Sequence, residues 1–125
     1  MSESQDINVL IVDDEEELAA TIAERLQIRG ISARAAADGD SAIELLKTHK
    51  VHVVVLDLMM PGIGGLEILK QIKTLNINIP VILLTGYGSK ESSKEGINLG
   101  AFDCIMKPCN LDDLIGKIHE AARSK

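Results

Sequence analysis

Asn8-Val-Leu-Ile-Val-Asp-Asp14 and Val51-His-Val-Val-Val-Leu-Asp57 are two short apolar runs that each stop on carboxylate. A run of this length followed by helical periodicity reads as a central strand of a parallel sheet, covered on both faces. The carboxyl ends of such strands form the ligand crevice of the sheet. If the two strands are neighbours, Asp13, Asp14 and Asp57 crowd one spot. Two carboxylates about 4 Å apart repel by roughly 4 kcal/mol at an effective dielectric near 20. A chain that keeps such a cluster uses it for a cation, a lysine or a reaction. Without a cation, neutral isosteres of Asp14 or Asp57 are expected to stabilise the fold.

Working outward, apolar runs alternate with amphipathic stretches five times. The expected strands are 8–12, 31–36, 51–56, 81–84 and 103–106. Leu18, Ile22 and Leu26 mark the first helix, stopped by Gly30. Ser41 is placed to cap the second, with Ala42, Leu45 and Leu46 inward. Leu66, Leu69, Ile72 and Leu75 mark the third. Leu111, Leu114, Ile115, Ile118 and Ala122 give the last an apolar stripe. The stretch 89–100 has two central serines, Gly96 and little apolar face, so it reads as a short, weakly packed helix or one held loosely between two states. A (βα)5 alternation means an α/β, doubly wound, three-layer domain with a parallel sheet and right-handed crossovers.

The 125 residues fit one domain, with 1–6 as a short polar tail. At 46% hydrophobic the chain can build a core, and at 2% aromatic that core must be Leu, Ile, Val and Ala. A net charge of −6 argues against direct nucleic-acid binding, which needs a basic stripe. The apolar runs are far too short to span a membrane, and the acidic start is no signal peptide. Cys104 and Cys109, the only cysteines, read as reduced thiols, so a cytoplasmic location is expected.

Acids in a first helical turn complement the macrodipole, which accounts for Glu15, Glu16 and Glu17. It accounts poorly for Asp13 and Asp14 at the strand end. Asp57 lies among Val55, Leu56, Leu58, Met59 and Met60, where a carboxylate is costly unless something charged meets it. Two more strand ends carry chemistry: Val81-Ile-Leu-Leu-Thr85 ends on a hydroxyl, and Cys104-Ile-Met-Lys107 on an ammonium before Pro108. Three carboxylates in an open crevice suit Mg²⁺. A metal, an ammonium and a hydroxyl around one carboxylate suit phosphoryl transfer to aspartate. The glycines Gly62, Gly64 and Gly65 lack the lysine and spacing of a nucleotide loop. His49, His52 and His119 form no ligand-like group.

The ordered set Val-Asp13-Asp14-Glu, Leu-Asp57-Leu-Met-Met-Pro61-Gly-Ile-Gly-Gly65, Leu-Thr85-Gly-Tyr-Gly and Lys107-Pro108 resembles the receiver domain of two-component response regulators, the CheY-like family, over nearly the whole chain. The resemblance implies a flavodoxin-like sheet of order 2-1-3-4-5. It implies Asp57 as phosphoacceptor, Asp13 and Asp14 (Asp14 more directly) and the Met59 carbonyl as Mg²⁺ ligands, and Thr85 and Lys107 as contacts of the phosphoryl group. It implies a commonly cis Lys107–Pro108 bond. The implied partners are a sensor histidine kinase or histidine phosphotransfer protein, and a downstream protein or output domain. The latter is met through the face built by 89–100, 103–106 and the last helix, as a monomer or a phosphorylation-dependent dimer. The chain would then be a bacterial signalling module, not a turnover enzyme, either standing alone or as the receiver of a transcriptional regulator or hybrid kinase.

Two departures stand out. Gly64 replaces a frequent Asp or Asn, which a glycine cap tolerates. Cys104 stands where the family usually has a switching aromatic, and Cys109 where a Phe commonly follows, leaving Tyr87 and Phe102 as the only aromatics. Small buried fillers are the simplest account of both cysteines. A pseudo-receiver scaffold, an aspartate-nucleophile phosphohydrolase and a flavodoxin-like cofactor binder compete. The first is opposed by the intact site residues, the second by adjacent rather than alternate acids, and the third by the lack of aromatics.

Overall fold

The computed structural model describes residues 7–58, 64–75, 78–86, 90–107 and 110–124. Five strands and five helices alternate. They are β1 (Asn8–Val12), α1 (Glu16–Ile28), β2 (Ser32–Ala36), α2 (Gly39–Thr48), β3 (Val53–Asp57), α3 (Gly65–Leu75), β4 (Val81–Thr85), α4 (Lys90–Asn98), β5 (Asp103–Met106) and α5 (Leu111–Arg123). All strand pairs are parallel, in the order β2-β1-β3-β4-β5. The α/β three-layer expectation and the sheet order both hold.

The strand pleat divides the core in two, since successive side chains point to opposite faces. Val9, Ile11, Val53, Val55, Ile82 and Leu84 face α1 and α5, where Ala19, Ala23, Leu26, Leu114 and Ile118 meet them. Leu10, Val12, Val54, Leu56, Val81 and Leu83 face the other way, onto Ala42, Ile68, Leu69 and Ile72 of α2 and α3. β3 and β4 are buried along their whole length. Each fully buried Leu or Ile contributes roughly 1.5–3 kcal/mol relative to exposure. With both layers full, the unpaired chemistry of the sheet is confined to its ends.

Local details correct three expectations. In α1 Leu26 is buried and Ile22 packs partly against the core as expected, but Leu18 is 38% exposed, and Ala19 and Ala23 complete the buried stripe. Leu75 is likewise exposed, and Ile68 takes the inward place in α3. α2 is capped by Asp38, whose Oδ1 accepts the Ser41 N–H at 2.7 Å, so Ser41 is the capped residue rather than the cap. The Gly30 stop holds: at φ 84 it lets Ile31 donate to the Leu26 carbonyl and its own N–H to Gln27, a Schellman closure.

Two glycines are dictated by close approach. A Cβ on Gly65 would lie 2.6 Å from the Leu58 Cα, so the start of α3 rests on the backbone just past β3. A Cβ on Gly96 would collide with the Leu83 side chain of β4. Gly96 is the only buried residue of α4 among the described ones. The poor apolar face of this helix is therefore real, and its internal glycine is what seats it.

Candidate functional site: a carboxylate and lysine centre

Each site residue emerges where a strand leaves the packed layers. The β1–β3 register ends on Val12 opposite Leu56, and the next residue on each strand is an acid. The Asp13 N–H still donates to the Ala36 carbonyl at 3.0 Å, and the Leu58 N–H to Leu84 at 2.9 Å. The ladder therefore pins Asp13 and Asp57 at the rim. Asp13 is 1% exposed, Asp57 2% and Thr85 4%, the three buried polar residues among those described. β4 carries Thr85 one step past the partner of Asp57. The Lys107 N–H donates to the Thr85 carbonyl at 2.6 Å, fixing where the lysine leaves β5.

The sequence-predicted acids do converge. Asp13, Asp14 and Asp57 each offer an oxygen within 4.8 Å of the others, with Asp14 exposed and the other two buried. The Lys107 ammonium lies 3.3 Å from Asp57 Oδ2 and 3.8 Å from Asp13 Oδ2. Burial pushes the Asp13 carboxyl up from 3.8 to about 6. The Glu15 N–H bond opposes the rise, the Asp57 charge adds to it, and Lys107 opposes it more weakly. Burial alone would pull the Lys107 ammonium down, but Asp57, Asp13 and Glu15 outweigh it and its pKa is raised. The lysine is charged at any physiological pH.

Whether this centre suits a hard cation is decided by Asp13. Its Oδ1 accepts the Glu15 N–H at 2.9 Å, while its buried Oδ2 accepts no hydrogen bond. Buried carboxylate oxygens are rarely left so, and the Lys107 ammonium at 3.8 Å compensates the desolvation only in part. An open oxygen, a second buried carboxylate and an exposed third make an all-oxygen donor set on one side of a crevice. That fits Mg²⁺, which binds through one or two carboxylates and keeps waters.

The remaining expectations divide. The cis Lys107–Pro108 bond, the Met59 carbonyl, Met60, the Gly62 loop segment, Tyr87 and Cys109 lie outside the described residues. Cys104 is half-buried, and its thiol donates to the Ser93 carbonyl of α4 at 3.6 Å. Burial pushes that thiol up, the Ser93 bond opposes the rise and the Asp103 charge adds to it, so it is no activated nucleophile. Phe102 packs against the α1/α5 layer as a half-buried core residue. His52 Nδ1 accepts the Asn8 N–H, a structural role. Among the described residues the three aspartates form the one metal-competent group. Glu15 is the residue that sequence reasoning missed. Its carboxylate lies 3.3 Å from Lys107, and no local pattern could signal a partner 92 positions away.

The family model for the response regulator receiver domain matches residues 9–119. The chain belongs to the response regulator receiver family. Its relatives include the probable transcriptional regulatory protein TcrX of Mycobacterium tuberculosis, 33% identical over 98% of this chain and 52% of that protein. The Francisella response regulator 1452 receiver domain has a similar structure, with 36% identity and a TM-score of 0.86 over 96% of this chain and all of that one. The receiver domain of NtrX from Brucella abortus superposes with a TM-score of 0.89 at 33% identity, over 94% and 99% of the two chains. This receiver spans about half the length of several curated relatives it matches. A receiver acts in two-component signalling, with a histidine kinase as its implied partner. No helix among the described residues is long and apolar enough to cross a membrane.

Proposed function

We propose that this receiver takes a phosphoryl group on Asp57 from a histidine kinase or histidine phosphotransfer protein. The observation that carries the reading is the Lys107–Asp57 pair at 3.3 Å beside the open Oδ2 of buried Asp13. An Asp57 oxygen attacks phosphorus, the bond from phosphorus to the donor breaks, and the donor leaves with the electron pair. For a phosphohistidine that leaving atom is an imidazole nitrogen. Asp13 and Asp14, together with Asp57 itself, would hold Mg²⁺, which supplies positive charge to the phosphoryl oxygens. Lys107 orients Asp57 beforehand and turns to the new oxygens afterwards. Thr85, buried at the end of β4, would donate its hydroxyl to the same group. Such catalysis is positioning and charge stabilisation, so one buried constellation suffices.

The chain is then a signalling module rather than a turnover enzyme, working in the cytoplasm. Its output surface is the face of α4, β5 and α5. Ile97 and Met106, 44% and 53% exposed, give that face apolar contacts for a downstream protein or domain, or for a second copy. Inward movement of Thr85 and Lys107 would be passed to α4, which is seated mainly by Gly96.

Incubation with acetyl phosphate and Mg²⁺ is expected to add one phosphoryl mass, mapped by fragmentation to Asp57 and absent in Asp57→Asn or in chelator. An unmodified wild type, or an adduct undiminished in Asp57→Asn, would overturn the assignment.

A further inference from the structure

Glu15 occupies the N-cap of α1, with φ −81 and ψ 89, yet its side chain makes no capping hydrogen bond. Caps are normally short polar residues whose oxygen closes the first turn. Glu15 reaches outward instead, and its Oε1 lies 3.3 Å from Lys107 Nζ, the same separation as between Lys107 and Asp57. Side-chain exposure grades across the centre: 3% at Asp57, 22% at Lys107 and 63% at Glu15. The ammonium is thus held between an inner carboxylate that would take the phosphoryl group and an outer one facing solvent. The Glu15 backbone N–H also fixes Asp13 Oδ1, which leaves Oδ2 as the open oxygen of that acid.

We propose that Glu15 is a positioning residue of this centre: it holds the Lys107 ammonium from the outer side before phosphorylation and places a negative charge where an anionic phosphodonor must enter. The inference rests on the phosphoacceptor reading of Asp57. When the phosphoryl oxygens arrive, they and Glu15 compete for one ammonium, so Glu15 slows loading of the site. Glu16 and Glu17 lie in the first helical turn and serve the macrodipole. Of Glu15, Glu16 and Glu17, Glu15 is the one with an ion pair to Lys107 among the described residues.

An exposed ion pair is weak and screened by salt, so its removal is read as a modest, salt-dependent rate factor. Phosphorylation of Asp57 by acetyl phosphate with Mg²⁺ is expected to be about two- to fivefold faster in Glu15→Gln at roughly 20 mM salt. The two proteins should converge at roughly 0.5 M. A cap or stability role would give a ratio indifferent to salt. Equal rates at low salt, or a ratio unchanged by salt, overturn the proposal. The Lys107 Nζ resonance at fixed pH supplies a readout independent of phosphorylation, since its chemical shift should move in Glu15→Gln at low salt. An unmoved resonance overturns the ion pair. A moved resonance with no phosphoryl group on wild-type Asp57 instead overturns the phosphoacceptor reading and leaves the ion pair standing.

Discussion

In chelator, Asp13→Asn is expected to be more stable than the wild type by about 2–3 kcal/mol near pH 8 and no more stable near pH 4. The folded Asp13 carboxyl titrates at about 6, against an ordinary value of 3.8. Below about pH 4 it is protonated whether folded or not, and it imposes no penalty. Between those values the native state holds a proton that the unfolded chain has released, so raising the pH favours unfolding. Above about pH 6 the full loss has accrued, roughly 3 kcal/mol for a shift of about two units. Asparagine keeps an oxygen for the Glu15 N–H and removes the buried charge. Urea denaturation across this range measures the difference directly. Mg²⁺ should reverse the order at high pH, because a cation compensates a carboxylate and not an amide. A variant weaker than the wild type at pH 8 in chelator would show that the buried Asp13 charge carries no such penalty. Sequence alone directs this test at Asp14 or Asp57; exposure of Asp14 and the open oxygen of Asp13 redirect it to Asp13.

The second large effect is expected at Gly65. Its added Cβ would meet the Leu58 Cα at 2.6 Å and the Asp57 carbonyl oxygen at 3.0 Å, both backbone atoms that cannot rotate aside. Gly65→Ala must therefore move α3 or the end of β3. Overpacking of this kind costs about 1–3 kcal/mol, and here the displaced residue adjoins Asp57, the proposed phosphoacceptor. The variant should unfold at lower urea and take up phosphoryl groups more slowly than its stability loss explains. A displacement of this order is enough to cost a large rate factor where geometry carries catalysis. Wild-type stability and rate in Gly65→Ala would mean that the helix start yields freely.

The strand ends were legible because polar residues cut off apolar runs abruptly, and burial on both faces permits that only at a rim. Asp13, Asp14 and Asp57 accordingly converge beside Lys107, and Thr85 ends the next strand of the sheet. The α1 stripe is legible at Ile22 and Leu26 but not at its start, since Ala19 and Ala23 carry little hydrophobic signal although they are buried where Leu18 is not. Glu15 stayed hidden because a sufficient local explanation, the helix dipole, was already at hand. Gly65 and Gly96 stayed hidden for a related reason. A glycine within a helix signals weakness, and only the neighbouring strand shows that the missing side chain is the requirement.

The seating of α4 has a further consequence. An ordinary surface helix is tethered by the large side chains it inserts, and withdrawing it uncovers each of them. Among its described residues α4 inserts none, so its resting place is defined by a hollow over Leu83 rather than by anchors of its own. Few buried side chains therefore oppose its displacement. On the proposed reading, a small rearrangement at the rim of β4 would shift the helix while both packed layers stay shut.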